Sequence, residues 1–141
     1  MAFQRGDEVE VCSKEEGFVG SYYTAKVISH LPNDLYVVQY DNLVDDNWRD
    51  PLSETVRKDE VRPVPPEISP PPSEFAYLEE VDAFDNDGWW VGKITGKTGF
   101  DNYSVFFETT GDEIAYPLSR LRFHLEWRNG KWVSSKIKVF S

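Results

Sequence analysis

The chain has 141 residues, the length of one ordinary domain or of two small ones. Hydrophobic residues make up 40% and aromatics 15%, which supports a packed core and excludes a disordered chain. The formal net charge is −10, with acids outnumbering bases 13 to 7 before Pro63 and 12 to 8 from there on; this disfavours charge-driven binding to duplex DNA and favours a Lys/Arg-rich partner.

Over residues 3–12, Val9 and Val11 alternate with acids, the pattern of a half-buried first strand. Ser13 to Gly20 is a polar, glycine-bearing loop that carries Phe18. Tyr22 to Ser29 reads as a second strand, with Tyr23, Ala25 and Val27 on one face and Tyr22, Thr24, Lys26 and Ile28 on the other. A turn at Leu31–Asp34 leads into a third strand, Leu35 to Asp41, with Tyr36, Val38 and Tyr40 sharing a face. Residues 42–51 are polar except for Leu43, Val44 and Trp48, and two short runs follow, Leu52 to Val56 and Val61 to Val64. Five short strands without helical periodicity predict a small all-β barrel.

Six of the nine prolines fall in residues 63–72, a run that favours polyproline II and cannot join a sheet ladder. It is expected to be a semi-rigid linker at 65–73, between a first domain at 3–64 and a second at 74–133, with an exit segment at 134–141.

Beyond the linker the pattern restarts. Glu79-Glu80-Val81-Asp82-Ala83 mirrors Glu8 to Val11. Tyr23 and Trp90, Tyr36 and Tyr103, and Tyr40 and Phe107 are each 67 residues apart, whereas Val9 and Val81 are 72 apart. This is an internal repeat whose first copy holds five extra residues between its first two strands, the segment that includes Phe18. An enlarged loop on a repeated scaffold is the expected place for function. Ile114 to Leu118 reads as the second copy's fourth strand, and Asn129-Gly130 is a hairpin turn signal between Trp127 and Trp132.

In each copy a strand ends in an aromatic followed by an acid, Tyr40-Asp41 and Phe107-Glu108. Aromatic faces beside carboxylates at one end of a barrel suit a bound cation. Catalysis has little to stand on. His30 and His124 are the only histidines, and no phosphate loop or metal-ligand spacing occurs, so neither an enzyme nor a cofactor or metal is expected. The lone Cys12 excludes a disulfide framework and fits a reducing compartment. Neither a membrane-spanning run nor a signal peptide is found, so a nuclear or cytoplasmic protein without a membrane partner is expected.

The chain resembles the plant Agenet family, in tandem; its modules are small barrels of the Tudor-like, or Royal, superfamily. The residues that carry the resemblance are Gly17-Phe18-x-Gly-Ser-Tyr-Tyr-x-Ala-x-Val27 with Tyr36-x-Val-x-Tyr40, then Asp87-Gly-Trp-Trp-Val-Gly-x-Ile94 with Tyr103-x-Val-x-Phe107, and the closing Leu121-Arg-x-His-x-Glu-Trp-x-Asn-Gly-x-Trp132. The resemblance covers about residues 3–133. It implies two five-stranded barrels joined by the Pro-rich linker. It also implies a nuclear chromatin reader, monomeric, that binds the histone H3 tail methylated at lysine nine and serves heterochromatin and gene silencing.

Methylated lysine, whether mono-, di- or trimethyl, keeps its charge and loses hydration, so it sits well among aromatic faces with a carboxylate at the rim. For such a cage the first module offers Tyr22, Tyr23, Tyr40, Trp48 and Phe18. Each has an ordinary alternative. Tyr23 and Tyr40 serve equally as barrel-end core, Tyr22 is a wall only if the preceding loop twists, Phe18 is a lid or a satellite core, and Trp48 can fold over the core edge. Asp41, Asp45 and Asp46 are the rim candidates. Trp89, Trp90 and Phe107 stand at the equivalent places of the second module, which has no counterpart of Trp48. That module is expected to offer acidic surface to the unmodified basic residues of the tail, through Glu79, Glu80, Asp82, Asp85 and Asp87. The competing reading is a protein–protein interaction module for a basic segment, with no dependence on methylation. Direct nucleic-acid binding is not expected, since Arg120–Arg122, Arg128–Lys131 and Lys136–Lys138 are the only basic clusters.

Overall fold

The alternation around Val9 and Val11 becomes β1 (Glu8–Cys12), the first strand of a computed structural model that describes residues 3–12, 19–44, 50–66 and 74–134. The chain folds as two units, Met1–Val64 and Pro65–Ser141. In the first, β2 (Ser21–Leu31), β3 (Leu35–Val44), β4 (Pro51–Arg57) and β5 (Val61–Pro63) follow β1. All neighbours are antiparallel in the order β5-β1-β2-β3-β4, so the last strand returns beside the first, as a small barrel requires. A 3-10 turn at Lys58–Glu60 makes that return, and the Arg57 N–H donates to Glu60 Oε1 at 3.0 Å across it.

The second unit repeats the plan with β6 (Glu80–Asp85), β7 (Gly88–Lys97), β8 (Asn102–Phe106), β9 (Glu113–Pro117) and β10 (Leu121–Phe123). Its order is β10-β6-β7-β8-β9, with a 3-10 turn at Leu118–Arg120 before β10. A hairpin of β11 (Leu125–Arg128) and β12 (Lys131–Ser134) follows, with Trp127 opposite Trp132. Among the described residues both halves are therefore built of β-strands, each with the same antiparallel order of five.

The repeat reaches below the strand level. β2 bulges between Val27 and Ser29 and β7 between Ile94 and Gly96, so the extra residues, Ile28 and Thr95, are again 67 apart. A bulge bends its strand and sharpens the twist, which is how a long β2 or β7 wraps around a small core. The segment before each first strand is also copied, at the 72-residue offset. The Phe3 N–H donates to the Tyr36 hydroxyl at 3.1 Å, and the Phe75 N–H to the Tyr103 hydroxyl at 3.3 Å. Two adjacent residues of positive φ close each hairpin: Asn86-Asp87 and Asn129-Gly130 as the two-residue β6–β7 and β11–β12 turns, and Asn33-Asp34 within the three-residue β2–β3 loop that begins at Pro32. Left-handed backbone at both centres is what a type I′ turn demands, and Asn, Asp and Gly tolerate it best.

The cores follow the predicted faces. Val9, Val11, Tyr23, Ala25, Val27, Tyr36, Val38, Tyr40, Val56 and Val61 are buried in the first unit. In the second, Val81, Ala83, Ile94, Tyr103, Val105, Phe107, Tyr116 and Leu121 pack around Phe75.

The acids alternating with these valines depart from expectation. A half-buried strand should leave them in water, yet Glu10 and Asp82 are both fully buried. Each meets an arginine from the strand on its other side. Arg62 Nη2 lies 2.7 Å from Glu10 Oε1, and Arg122 Nε lies 2.8 Å from Asp82 Oδ2. Each guanidinium also covers an aromatic ring, Arg62 at 3.5 Å from the centre of Tyr22 and Arg122 at 4.1 Å from that of Trp89. Paired and stacked in this way, a charge can be buried without the full desolvation penalty.

Candidate ligand-binding site

At one end of the first core, inward-facing aromatics of two strands come together. Tyr23 of β2 and Tyr40 of β3 are nearly buried, with ring centres 6.4 Å apart and planes at 87°. The Tyr40 hydroxyl donates to Glu54 Oε2 of β4 at 2.9 Å. Glu54 is exposed, so the group consists of two orthogonal ring walls with a carboxylate at the solvent side. Such walls can take a weakly hydrated cation, and the carboxylate supplies the counter-charge.

Tyr22 is oriented differently. One residue from Tyr23 on a regular strand, it stands on the opposite face, where the Arg62 guanidinium already covers its ring. Its place in the structure is with the buried Glu10–Arg62 pair and not with Tyr23 and Tyr40. Asp41 is exposed just past Tyr40. Phe18, Asp45, Asp46 and Trp48 lie outside the described residues.

The second unit builds a parallel group. Phe107 and Tyr116 meet at 85° with centres 6.1 Å apart. The Tyr116 hydroxyl donates to Asp85 Oδ2 at 2.7 Å, and Trp90 Nε1 donates to the Asp85 carbonyl oxygen at 2.8 Å. Burial, the Asp85 hydrogen bond and the Asp85 charge all push the Tyr116 pKa up, so this phenol stays a neutral donor.

The acids predicted to form a recognition surface here divide into two sets. Asp82 does not belong to it. It is fully buried, and its carboxylate is taken by Arg122 and, at 2.7 Å, by His124 Nδ1. Glu79 is half-buried and caps the turn before β6, accepting the Ala76 N–H at 2.9 Å. Asp85 holds Tyr116 as described. Glu80 is half-buried opposite Lys93, and Asp87 is exposed at the β6–β7 turn.

Three groups of this architecture went unread in the sequence: Glu54, the two arginines and His124. His124 Nε2 contacts Glu126 Oε1 at 2.8 Å while Nδ1 contacts Asp82. Burial alone would lower its pKa, but the hydrogen bonds and charges of Asp82 and Glu126 outweigh that and raise it to about 9. The ring is thus an imidazolium at neutral pH, donating from both nitrogens. A signal for the arginines was present, since Val61-Arg62-Pro63 and Leu121-Arg122-Phe123 follow the same order and Glu10 aligns with Asp82 at the 72-residue offset. Nothing local marks Glu54, which becomes special only where β4 crosses Tyr40.

Comparison with known proteins places the whole arrangement. A family model described as Agenet domain matches residues 6–66. Protein AGENET DOMAIN (AGD)-CONTAINING P1 of Arabidopsis thaliana is 40% identical over 138 residues, spanning 96% of this chain and 26% of that protein. DUF724 domain-containing protein 3 of Arabidopsis thaliana is 38% identical over 136 residues, spanning 92% of this chain and 19% of that one. The chain thus spans about a quarter or less of the length of these curated relatives. The crystal structure of Arabidopsis thaliana AGDP1 AGD34 superposes with a TM-score of 0.88 at 32% identity, covering 94% of this chain and 89% of that one. That of ADCP1 tandem Agenet domain 3-4 does so with a TM-score of 0.83 at 29% identity, covering 94% and 87%.

Proposed function

Because this chain belongs to the Agenet domain family, as a tandem pair of its barrels, we propose that it is a chromatin reader that binds the histone H3 tail methylated at lysine nine. The observation that carries this reading is the orthogonal Tyr23–Tyr40 pair with Glu54 on the Tyr40 hydroxyl. Two ring walls and an acid are the minimum a methylammonium requires. A desolvated cation–π contact contributes about 2 kcal/mol or more. Trp48 and Phe18, large aromatic residues that follow β3 and precede β2 in the chain, are proposed as the remaining wall and the lid. Asp41, Asp45 and Asp46 would line the rim.

Glu80 and Asp87 of the second unit, together with the overall negative charge, would attract the unmodified lysines, arginine and amino terminus of the tail. Asp82, Glu79 and Asp85 hold the fold and are not assigned to that surface. The protein would act in the nucleus, in heterochromatin and gene silencing, as a binding module without catalysis.

Calorimetry of the chain against H3 tail peptides tests the proposal. Tighter binding of the lysine-nine-methylated peptide is expected, together with loss of that preference in Trp48→Ala. Equal heats for methylated and unmodified peptides would sink it.

One observation favours the plainer reading, a module that binds a basic segment regardless of methylation. Tyr40 is 6% exposed and bonded to Glu54, as a core residue would be. If that reading is correct, Tyr40→Ala lowers the melting temperature sharply, and wild-type binding is blind to methylation.

A further inference from the structure

The closing hairpin reverses the charge of the rest of the chain. Residues 119–141 hold six Lys and Arg and one acid, whereas residues 1–118 hold nine and 24. A two-stranded hairpin is marginal by itself. This one is held by the buried Leu125, by the Glu126–His124 contact at 2.8 Å, and by the Trp127–Trp132 pair, with ring centres 5.0 Å apart. Its tip is Arg128-Asn129-Gly130-Lys131, and all four residues are exposed. Arg128 and Lys131 stand directly opposite one another, so both side chains leave the same face of the ribbon. Like charges placed in this way cost stability. Neither has an ion-pair partner among the described residues. Glu126, the one acid of the hairpin and on that same face, is taken by the His124 ring.

We propose that this hairpin tip is a contact for the phosphate backbone of duplex DNA, separate from the aromatic group of the first unit and independent of the methyl-lysine reading. The total charge of −10 disfavours such binding as a long-range effect. Charge acts over only about 10 Å at 0.1 M salt, so a backbone that meets the tip feels the local cations first. Two adjacent cations neutralise about two phosphates, and release of the condensed counterions supplies the affinity. Shape selects the duplex. Single strands bind on aromatic platforms, whereas the two tryptophans here are half-buried against each other. A two-stranded ribbon enters the major groove of B-DNA, which is about 12 Å wide, and A-form RNA closes that groove to side chains. The Asn129-Gly130 apex, with both residues at positive φ, keeps the tip narrow. The contact is to phosphates and carries no sequence preference. A chain that also held a histone tail would grip two parts of one nucleosome, and each contact would raise the effective concentration of the other.

Fluorescence anisotropy with a labelled DNA duplex of random sequence tests this on the wild type, Arg128→Glu, Lys131→Glu and Lys58→Glu. The wild type is expected to bind at about 0.05 M salt, with a log–log salt slope of about −2, the value for two phosphates. Arg128→Glu and Lys131→Glu each set opposite charges across the turn, so their melting temperatures should be at least that of the wild type. Each is nevertheless expected to weaken DNA binding about tenfold and to flatten the slope to about −1 or beyond. Lys58→Glu makes the same change in net charge at an exposed lysine of the first unit and should weaken binding by no more than about twofold. No binding by the wild type, equal losses in all three variants, or a tip variant that binds as the wild type does overturns the proposal. Tighter binding of an RNA duplex or a single strand of the same sequence overturns the assignment to duplex DNA. Calorimetry with H3 tail peptides should not distinguish the tip variants from the wild type. Failure of DNA binding therefore leaves the methyl-lysine reading standing, and a chain blind to methylation leaves the hairpin contact standing.

Discussion

Gly92 shows how a single position can be decided by packing. The repeat aligns it with Ala25, and both lie on the inward face of their second strand. A Cβ at Gly92 would sit 2.5 Å from Val105 Cγ1 and 2.9 Å from the Phe106 carbonyl oxygen. The side chain can rotate away, but the backbone oxygen belongs to the sheet ladder and cannot. Gly92→Ala is therefore expected to destabilise the second unit by about 1–3 kcal/mol, as overpacking of a filled core does. Chemical denaturation followed by tryptophan fluorescence checks this, and a variant as stable as wild type would refute it. The sequence marks Gly92 only as the smaller partner of Ala25. Whether that glycine signals a turn, a bulge or a close approach depends on Phe107 and Val105 packing over it, which no local pattern states. The same holds for Asp82. Its alternation with Val81 and Ala83 reads as solvent-facing, and only the return of β10 on its far side puts Arg122 and His124 against it.

Elements were easier to read, because strand alternation and turn chemistry are local. The turns at Asn33-Asp34 and Asn129-Gly130 fall where polar turn residues interrupt apolar alternation. What the elements do to one another was less visible. The closing Arg-x-His-x-Glu stretch is a charged clasp: Arg122 and His124 both grip Asp82 of β6, and Glu126 of β11 backs the imidazolium. Its stability has a definite pH sense. The His124 pKa is raised from 6.5 to about 9 on folding, so its contribution is complete below about pH 6.5 and is lost as pH rises toward 9. The melting temperature of the chain should fall across that window, and His124→Gln should flatten the fall. Equal slopes for the two proteins would show that the clasp is not coupled to folding.

At the scale of the whole molecule, the net charge of −10 and the aromatic mouth of the first unit would make separate contributions to the proposed binding. Long-range attraction of a basic peptide is screened by salt, whereas a desolvated contact with aromatic walls is screened far less. Raising ionic strength from about 0.05 to 0.5 M is thus expected to weaken methylated and unmodified H3 peptides by similar factors, leaving their ratio nearly constant. A ratio that collapses with salt would place the methyl preference in surface charge and not in the cage. Calorimetry at three salt concentrations decides it.

Alternation, turn residues and the constant 67-residue register pointed from sequence alone to an all-β chain in two copies, with five strands in the first, and the family resemblance extended the count to the second. Those features are local or periodic, and period-two alternation leaves a strand one face to bury. The motifs carried the family as well. The tertiary structure alone decided which acids are surface and which are core, and which aromatics share a wall. Glu10 and Asp82 look like solvated strand acids until a fifth strand brings an arginine to each. Tyr22 and Tyr23 look like neighbours until the pleat sends one to Arg62 and the other to Tyr40. Glu54 looks like any exposed glutamate until β4 lays it against the Tyr40 hydroxyl. In each case the deciding partner lies 14 to 52 residues away in the chain, and such contacts are set by how strands close into a barrel.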